Sequence, residues 1–266
     1  MEMTKELRIK LSENGYTVEE NTMIKNGVEK VGYVVRKTND DNKLCPMFYD
    51  FPQNVEEAFN YIVNCMVDNV SVSENDANEI VSEEYAKNHI YLIALKSGKN
   101  DNLITRPTEF KGIEMGMAID VNMGNVNGMV RITKDIASNY NDIDEMWEIA
   151  MKRTASDIQI DCFDGLGAMY VLSNNEMVQG ASTIFTNRAK QLLKEKFIDR
   201  VNKLVLIPSS VHEWIVLPML AMFENDTQTF VSMVKEMNET VVDETETLTD
   251  NAYIYDLEKG TVTSIA

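Results

Sequence analysis

The chain reads as an α+β protein of mixed helices and mostly antiparallel short strands, arranged as two packed subdomains at residues 1–138 and 139–266. Two observations carry that expectation. In several segments apolar residues recur at spacings of three and four, the period of a helix with one buried face. Between them lie short runs of β-branched and aromatic residues, ended by Asn, Gly or Pro, which is the pattern of strands and turns. No fixed-period repeat or low-complexity tract interrupts the series.

Taken in order, the first dozen residues form a helix with Met3, Leu7 and Leu11 on one side. Two strand-like runs then flank Asn26-Gly27, the strongest short hairpin signal. The second run places Val31, Tyr33 and Val35 on one face. Leu44 to Tyr49 reads as a further strand. Asn54 caps a helix whose inner positions are Val55, Ala58, Phe59, Ile62 and Met66. Residues 71–88 are polar and helical in part, Ile90 to Leu95 is a strand, and Lys96 to Thr108 is a polar loop. Two strands, Ile113 to Val121 and Met129 to Thr133, are joined by the Asn/Gly-rich turn Asn122 to Gly128.

The second half opens with a helix capped by Asn141 or Asp142, with Ile143, Met146, Trp147, Ala150 and Thr154 inward. Met169 to Leu172 and Ala181 to Phe185 read as strands. Thr186 or Asn187 starts a helix carrying Ala189, Leu192, Leu193 and Phe197. Leu204 to Ile207 and Val211 to Leu217 are strands on either side of Pro208-Ser209-Ser210. A helix around Thr229 to Met237 and a hairpin turning at Glu258-Lys259-Gly260 complete the chain.

Charge narrows the possible partners. Of 266 residues, 43 are acidic and 25 basic, a net charge of −18. Such a surface repels phosphate backbones and anionic lipids, so neither nucleic acid nor membrane is an expected partner. The longest apolar run, Trp214 to Phe223, is ten residues with Pro218 inside it. A membrane helix needs about 20. The chain also starts without the apolar run of a secretory signal. A cytoplasmic protein is expected. Cys45, Cys65 and Cys162 are scattered and odd in number, and read as mostly buried thiols rather than a disulfide framework. The 26 Asn, and 18 Lys among 25 basic residues, match an AT-rich bacterial genome.

Charge is also segregated. Six basic residues between Arg188 and Lys203 meet only Glu195 and Asp199, whereas Glu213 to Glu258 holds eleven acidic residues and the single Lys235. Two solvated faces, touching each other or apart, account for this. The alternative is a cationic helix that docks an acidic partner.

The known chemistries fail one after another. His212-Glu213 would need a second His four residues on for a zinc protease helix, and Val216 stands there. Asp157, Asp161 and Asp164 lack the alternate oxygens of a calcium loop. Gly165-Leu166-Gly167 lacks the third glycine of a dinucleotide fingerprint, where Tyr170 stands. No cofactor and no metal are therefore expected. Ser210 and His212 would share a strand face, so a hydrogen bond between them is open to a hydrolase, a ligand contact or plain turn satisfaction. The 214–223 run is core, or a surface for self-association.

The string Leu206-Ile207-Pro208-Ser209-Ser210-Val211-His212-Glu213, followed by Ile215-Val216-Leu217-Pro218, resembles the hallmark of an uncharacterised bacterial family. It is a domain-of-unknown-function family of anaerobic gut Firmicutes. Its members carry segments similar to Met169-Tyr170-Val171-Leu172-Ser173-Asn174, Gly180-Ala181-Ser182, Met233 to Asn238, Leu248-Thr249-Asp250 and Tyr253 to Asp256. Phe185-Thr186-Asn187 departs from the Tyr-Pro-Gly-like turn that is more usual there. The resemblance implies no activity, cofactor or catalytic residue. The expectation is a non-enzymatic macromolecule-binding protein, with Ser209, Ser210, His212, Glu213 and Trp214 as binding residues. The alternative is a metal-independent hydrolase using Ser210, His212 and Glu213.

Overall fold

The structure is a computed structural model that describes residues 3–38, 43–44, 47–48, 51–67, 72–123, 126–163, 165, 167–220 and 227–265. Its contacts form two compact units, one of Met1–His89 with Ile119–Val130, the other of Ile90–Ala118 with Arg131–Ala266. A single cut at 138/139 differs from this division. Ile90–Ala118 packs with the second unit because its strand Ile90–Lys96 is buried against the helix Ile143–Ser156. Cys45, Asp164, Leu166 and residues 221–223, all named above, lie outside the described residues.

In the first unit, Thr4 caps α1 (Lys5–Glu13) by accepting the Leu7 amide, and Leu7 and Leu11 turn inward. Strands β1 (Tyr16–Lys25) and β2 (Val28–Lys37) pair antiparallel over their full length. Asn26 and Gly27 both have positive φ, 53° and 85°, the conformation a two-residue hairpin turn requires. The short strands β3 (Lys43–Leu44) and β4 (Met47–Phe48) follow, and β4 pairs with β2. Asn54 Oδ1 accepts the Glu56 and Glu57 amides and so starts α2 (Val55–Val67). Leu7, Leu11, Tyr33, Val35, Phe48, Ala58 and Ile62 form the core of this unit. β5 (Val72–Ser73) pairs with β3, and α3 (Glu74–Ile80) and α4 (Glu83–His89) follow.

β6 (Ile90–Lys96) lies beside β8 (Ile113–Met123), with β7 (Thr105–Pro107) on the other side of β8 and β9 (Val126–Arg131) also paired to it. The expected polar loop from Lys96 to Thr108 thus contains a strand. Pro107 is tolerated there because β7 ends at it. Thr133 caps the short α5 (Lys134–Ala137), and Asp142 caps α6 (Ile143–Ser156). Met146, Trp147, Ala150 and Thr154 face inward, and Thr154 Oγ1 accepts the Leu92 amide at 2.9 Å.

The rest of the second unit is built on a six-stranded antiparallel sheet in the order β10-β11-β13-β12-β14-β15. These are β10 (Gln159–Cys162), β11 (Tyr170–Ser173), β12 (Lys203–Pro208), β13 (Trp214–Pro218), β14 (Ala252–Asp256) and β15 (Thr261–Ile265). Both faces are covered. On one, Leu204, Leu206, Trp214, Val216, Tyr253 and Tyr255 pack under Ala189, Leu193 and Phe197 of α7 (Asn187–Phe197). On the other, Val205, Ile207 and Ala252 pack under Phe230, Val231 and Val234 of α8 (Gln228–Thr240). A strand buried on both faces reads as a continuous apolar run rather than an alternating one. That is why Trp214 to Met219 is so apolar: it is core, and of the described residues of the 214–223 run only Leu220 is exposed.

Three expectations need correction. Ala181 to Phe185 is not a strand but part of a 3₁₀ helix, Gly180–Phe185. Ser182 Oγ and Thr183 Oγ1 donate back to the carbonyls of Gln179 and Gly180, which favours a helical turn over a ladder. Val211 to Glu213 belongs to the connection before β13, not to the strand. Cys162 is exposed at the end of the edge strand β10, and Cys65 is half-buried.

The basic helix does not face the acidic segment's helix, since α7 and α8 sit on opposite faces of the sheet. Its cations serve nearby groups instead. Lys190 pairs with Glu109, and Lys196 Nζ donates to the Ile160 carbonyl. Arg200 donates to the Tyr170 hydroxyl at 2.8 Å and the Gly167 carbonyl at 3.0 Å.

Candidate functional site

The connection Ser209–Glu213 is closed first by its own backbone. The Ser209 and Ser210 amides both donate to the Glu213 carbonyl, at 3.1 and 3.4 Å. Ser209 Oγ donates to Glu213 Oε1 at 3.3 Å, and Ser210 Oγ accepts the His212 amide at 3.0 Å. A short hydroxyl side chain that bonds backbone two residues on is a turn former, which explains Ser210 at this position.

Three other segments then fasten to this connection. The Ala181 amide donates to Val211 O at 3.2 Å, and the Val211 amide donates to Glu246 O at 2.9 Å. Ser173 Oγ donates to His212 O at 2.8 Å. The Gln179 amide donates to His212 Nδ1 at 3.2 Å. Because Nδ1 accepts, the neutral ring carries its proton on Nε2, which faces Glu246 Oε1 at 3.4 Å. The end of β11, the 3₁₀ helix and the loop before β14 are therefore pinned to one turn.

Trp214 lies beneath. It is fully buried, its Nε1 donates to Ala181 O at 2.7 Å, and its ring meets Phe110 at 4.9 Å and Tyr253 at 5.8 Å. Tyr253 Oη in turn donates to Lys111 O at 2.6 Å, and burial pushes its pKa up to about 12. Of the five residues singled out in the sequence, Ser209, Ser210, His212 and Glu213 are half-buried around the turn, and Trp214 anchors the core.

Nucleophilic catalysis by serine needs the hydroxyl to donate to the imidazole. Here Ser210 Oγ takes a main-chain N–H, while the ring nitrogens face Gln179 and Glu246. Among the described residues no hydrogen bond joins a hydroxyl to the His212 ring. Nor does any group of three or more His, Cys, Asp and Glu among them suit a metal ion. No helix among them is long and apolar enough to cross a membrane.

Ser173, Gln179, Gly180 and Glu246 complete the arrangement; Ser173 and Gly180 stand in the segments that carry the family resemblance but were given no role by it, and no spacing marks Gln179 or Glu246. The structure shows why a glycine stands at 180: a Cβ there would lie 2.6 Å from Asn174 N and 2.7 Å from His212 O. The turn Asn174 to Val178, of which only Asn174 stands in a family-like segment, lies beside them. Asn174 Oδ1 accepts the Val178 amide at 3.1 Å and its Nδ2 donates to Val178 O at 2.8 Å. The Asn175 amide donates to Asp157 Oδ1 at 3.2 Å. Met177 and Gln179 are both held left-handed, with φ of 54° and 56°. The turn leaves Met177 and Val178 about half exposed, at 49% and 52%.

Residues 143–257 match the model of a family of unknown function, DUF5688. The match runs from the first residue of α6 to just past β14, and contains the whole of the pinned turn. No curated protein and no solved structure matches the chain.

Proposed function

We infer that the second unit is a non-catalytic recognition module that binds a protein segment at the turn Asn174 to Val178, beside His212. One observation carries this. Two consecutive exposed apolar side chains stand on a turn whose backbone is held in a costly conformation by its neighbours. A non-glycine residue at positive φ costs on the order of 1 kcal/mol, and such strain persists where surrounding structure over-determines it. The hydrogen bond from Gln179 to His212 is part of that support. Binding through a rigid turn loses less entropy than binding through a mobile one.

The partner's chemistry follows from the surroundings. Glu176 is exposed in the same turn, Glu213 and Glu246 flank His212, and the chain carries −18. An apolar residue flanked by Lys or Arg is complementary to that surface. Ser209, Ser210 and His212 act by holding the turn in place.

Capture on tagged full-length protein tests this against the hydrolase. A stoichiometric partner should survive Ser210→Ala, but weaken by about tenfold or more with Met177→Ser/Val178→Ser at unchanged stability. Covalent labelling of Ser210 by a fluorophosphonate would overturn it, as would undiminished binding to the double variant.

A further inference from the structure

We propose that the β1 edge of the first unit pairs antiparallel with the β1 edge of a second copy of this chain, with Thr22 opposite its own counterpart. β1 is the terminal strand of the sheet β1-β2-β4, and among the described residues β2 is its one paired neighbour. It is ten residues long and contains no proline. From Glu19 to Ile24 every described residue is exposed. On the paired hairpin, Met23, Ile24 and Val31 are exposed at 45%, 54% and 46%. A long, partly apolar edge that no other strand covers among the described residues is a template for another strand.

The hairpin fixes how that strand can pair. Its two-residue turn makes Lys25 and Val28 the closing hydrogen-bonded pair. Odd-numbered residues of β1 then direct their N–H and C=O towards β2, and Val18, Glu20, Thr22 and Ile24 direct theirs outward. Two copies related by a two-fold axis can bond only through these outward residues, which leaves few registers. With Glu20 opposite Glu20, like charges meet. With Thr22 opposite Thr22, Glu19 of each copy, which also meets Arg36 of its own hairpin at 3.9 Å, lies opposite Lys25 of the other, twice per dimer, at the closely spaced non-hydrogen-bonded positions. Glu20 and Ile24 then pair across the axis and complete about six main-chain hydrogen bonds. Shifting the axis to Asn21 or Met23 loses both Glu19–Lys25 pairs.

The result is a four-stranded sheet in the order β2-β1-β1-β2, continuous across the axis. On one face Val31 and Thr22 of one copy run into Thr22 and Val31 of the other. Three cysteine variants of the full chain, Asn21→Cys, Thr22→Cys and Met23→Cys, read the register under mild oxidation. Opposed residues of a hydrogen-bonded pair lie about 5.5 Å apart at Cα, within disulfide reach. Thr22→Cys should cross-link several-fold more than the other two or the unchanged chain. Preferential cross-linking at Asn21 or Met23, or at none, overturns the proposed pairing. Sedimentation velocity at low salt should give twice the 30.3 kDa chain mass. Lys25→Glu should reduce the dimer by about tenfold or more, and Glu19→Lys with Lys25→Glu should restore it. Thr22→Pro removes an outward N–H that β2 does not use, so it should give a folded monomer. A wild-type monomer at all concentrations, or a dimer indifferent to Lys25→Glu, refutes the interface.

Discussion

Gly180→Ala is the sharpest probe of the pinned turn. The added Cβ would stand 2.1 Å from Ser173 Oγ, 2.6 Å from Asn174 N and 2.7 Å from His212 O. The serine can rotate away, but the other two atoms are backbone. Overpacking of this kind costs about 1–3 kcal/mol. Moving Ser173 Oγ also breaks its 2.8 Å bond to His212 O and strands a buried hydroxyl, for about 1–3 kcal/mol more. A total of about 2–6 kcal/mol lowers the melting temperature of a unit this size by roughly 5–15 °C. Both tryptophans, Trp147 and Trp214, belong to the second unit, so denaturant titration followed by their fluorescence reports on it alone. Ser173→Ala separates the two terms and should cost about 1 kcal/mol. A Gly180→Ala midpoint within about 0.5 kcal/mol of wild type would mean that the three segments are not packed as described.

Further outcomes follow from the same contacts. Trp214→Ala removes a fully buried ring and should cost about 3–5 kcal/mol, whereas Leu220→Asp, at an exposed position, should stay within about 0.5 kcal/mol in the same titration. Thr186→Ala deletes the hydroxyl that accepts the Ala189 amide at the start of α7, and thermal melts should show a loss of about 1 kcal/mol. Tyr253 is held neutral by burial, so its unfolded phenol ionises first as pH rises. Stability fully present below pH 10 should fall between pH 10 and about 12, and Tyr253→Phe should flatten part of that fall. Tyr255, also raised chiefly by burial, adds to it.

Much of the fold was legible because local signals agreed with tertiary burial. Asn26-Gly27, the Asn54 and Asp142 caps and the inner faces of α2 and α6 need only period and turn chemistry, and all stand in the structure. Ala181 to Phe185 is strand-like in sequence because β-branched and aromatic residues suit strands, yet Ser182 and Thr183 bond their own backbone and, among the described residues, no strand pairs with the segment in a ladder. The Trp214 run was ambiguous for a different reason. A strand covered on both faces and an exposed interface share one composition, and only the positions of α7 and α8 distinguish them. The pinned turn was half legible. Ser209 to Glu213 stand together in sequence, but Ser173, Gln179 and Glu246 reach them through non-local contacts that no spacing announces.

That Ser209 to Glu213 serve as a fastening, and not as reacting groups, is tested most directly by amide hydrogen exchange in the intact protein. The Val211, Ala181 and Gln179 amides, bonded to Glu246 O, Val211 O and His212 Nδ1, should exchange as slowly as those of β12 and β13. In His212→Ala the Gln179 amide alone should lose most of its protection. If all three exchange at the rate of an exposed turn in the wild type, the connection is loose and the account is wrong.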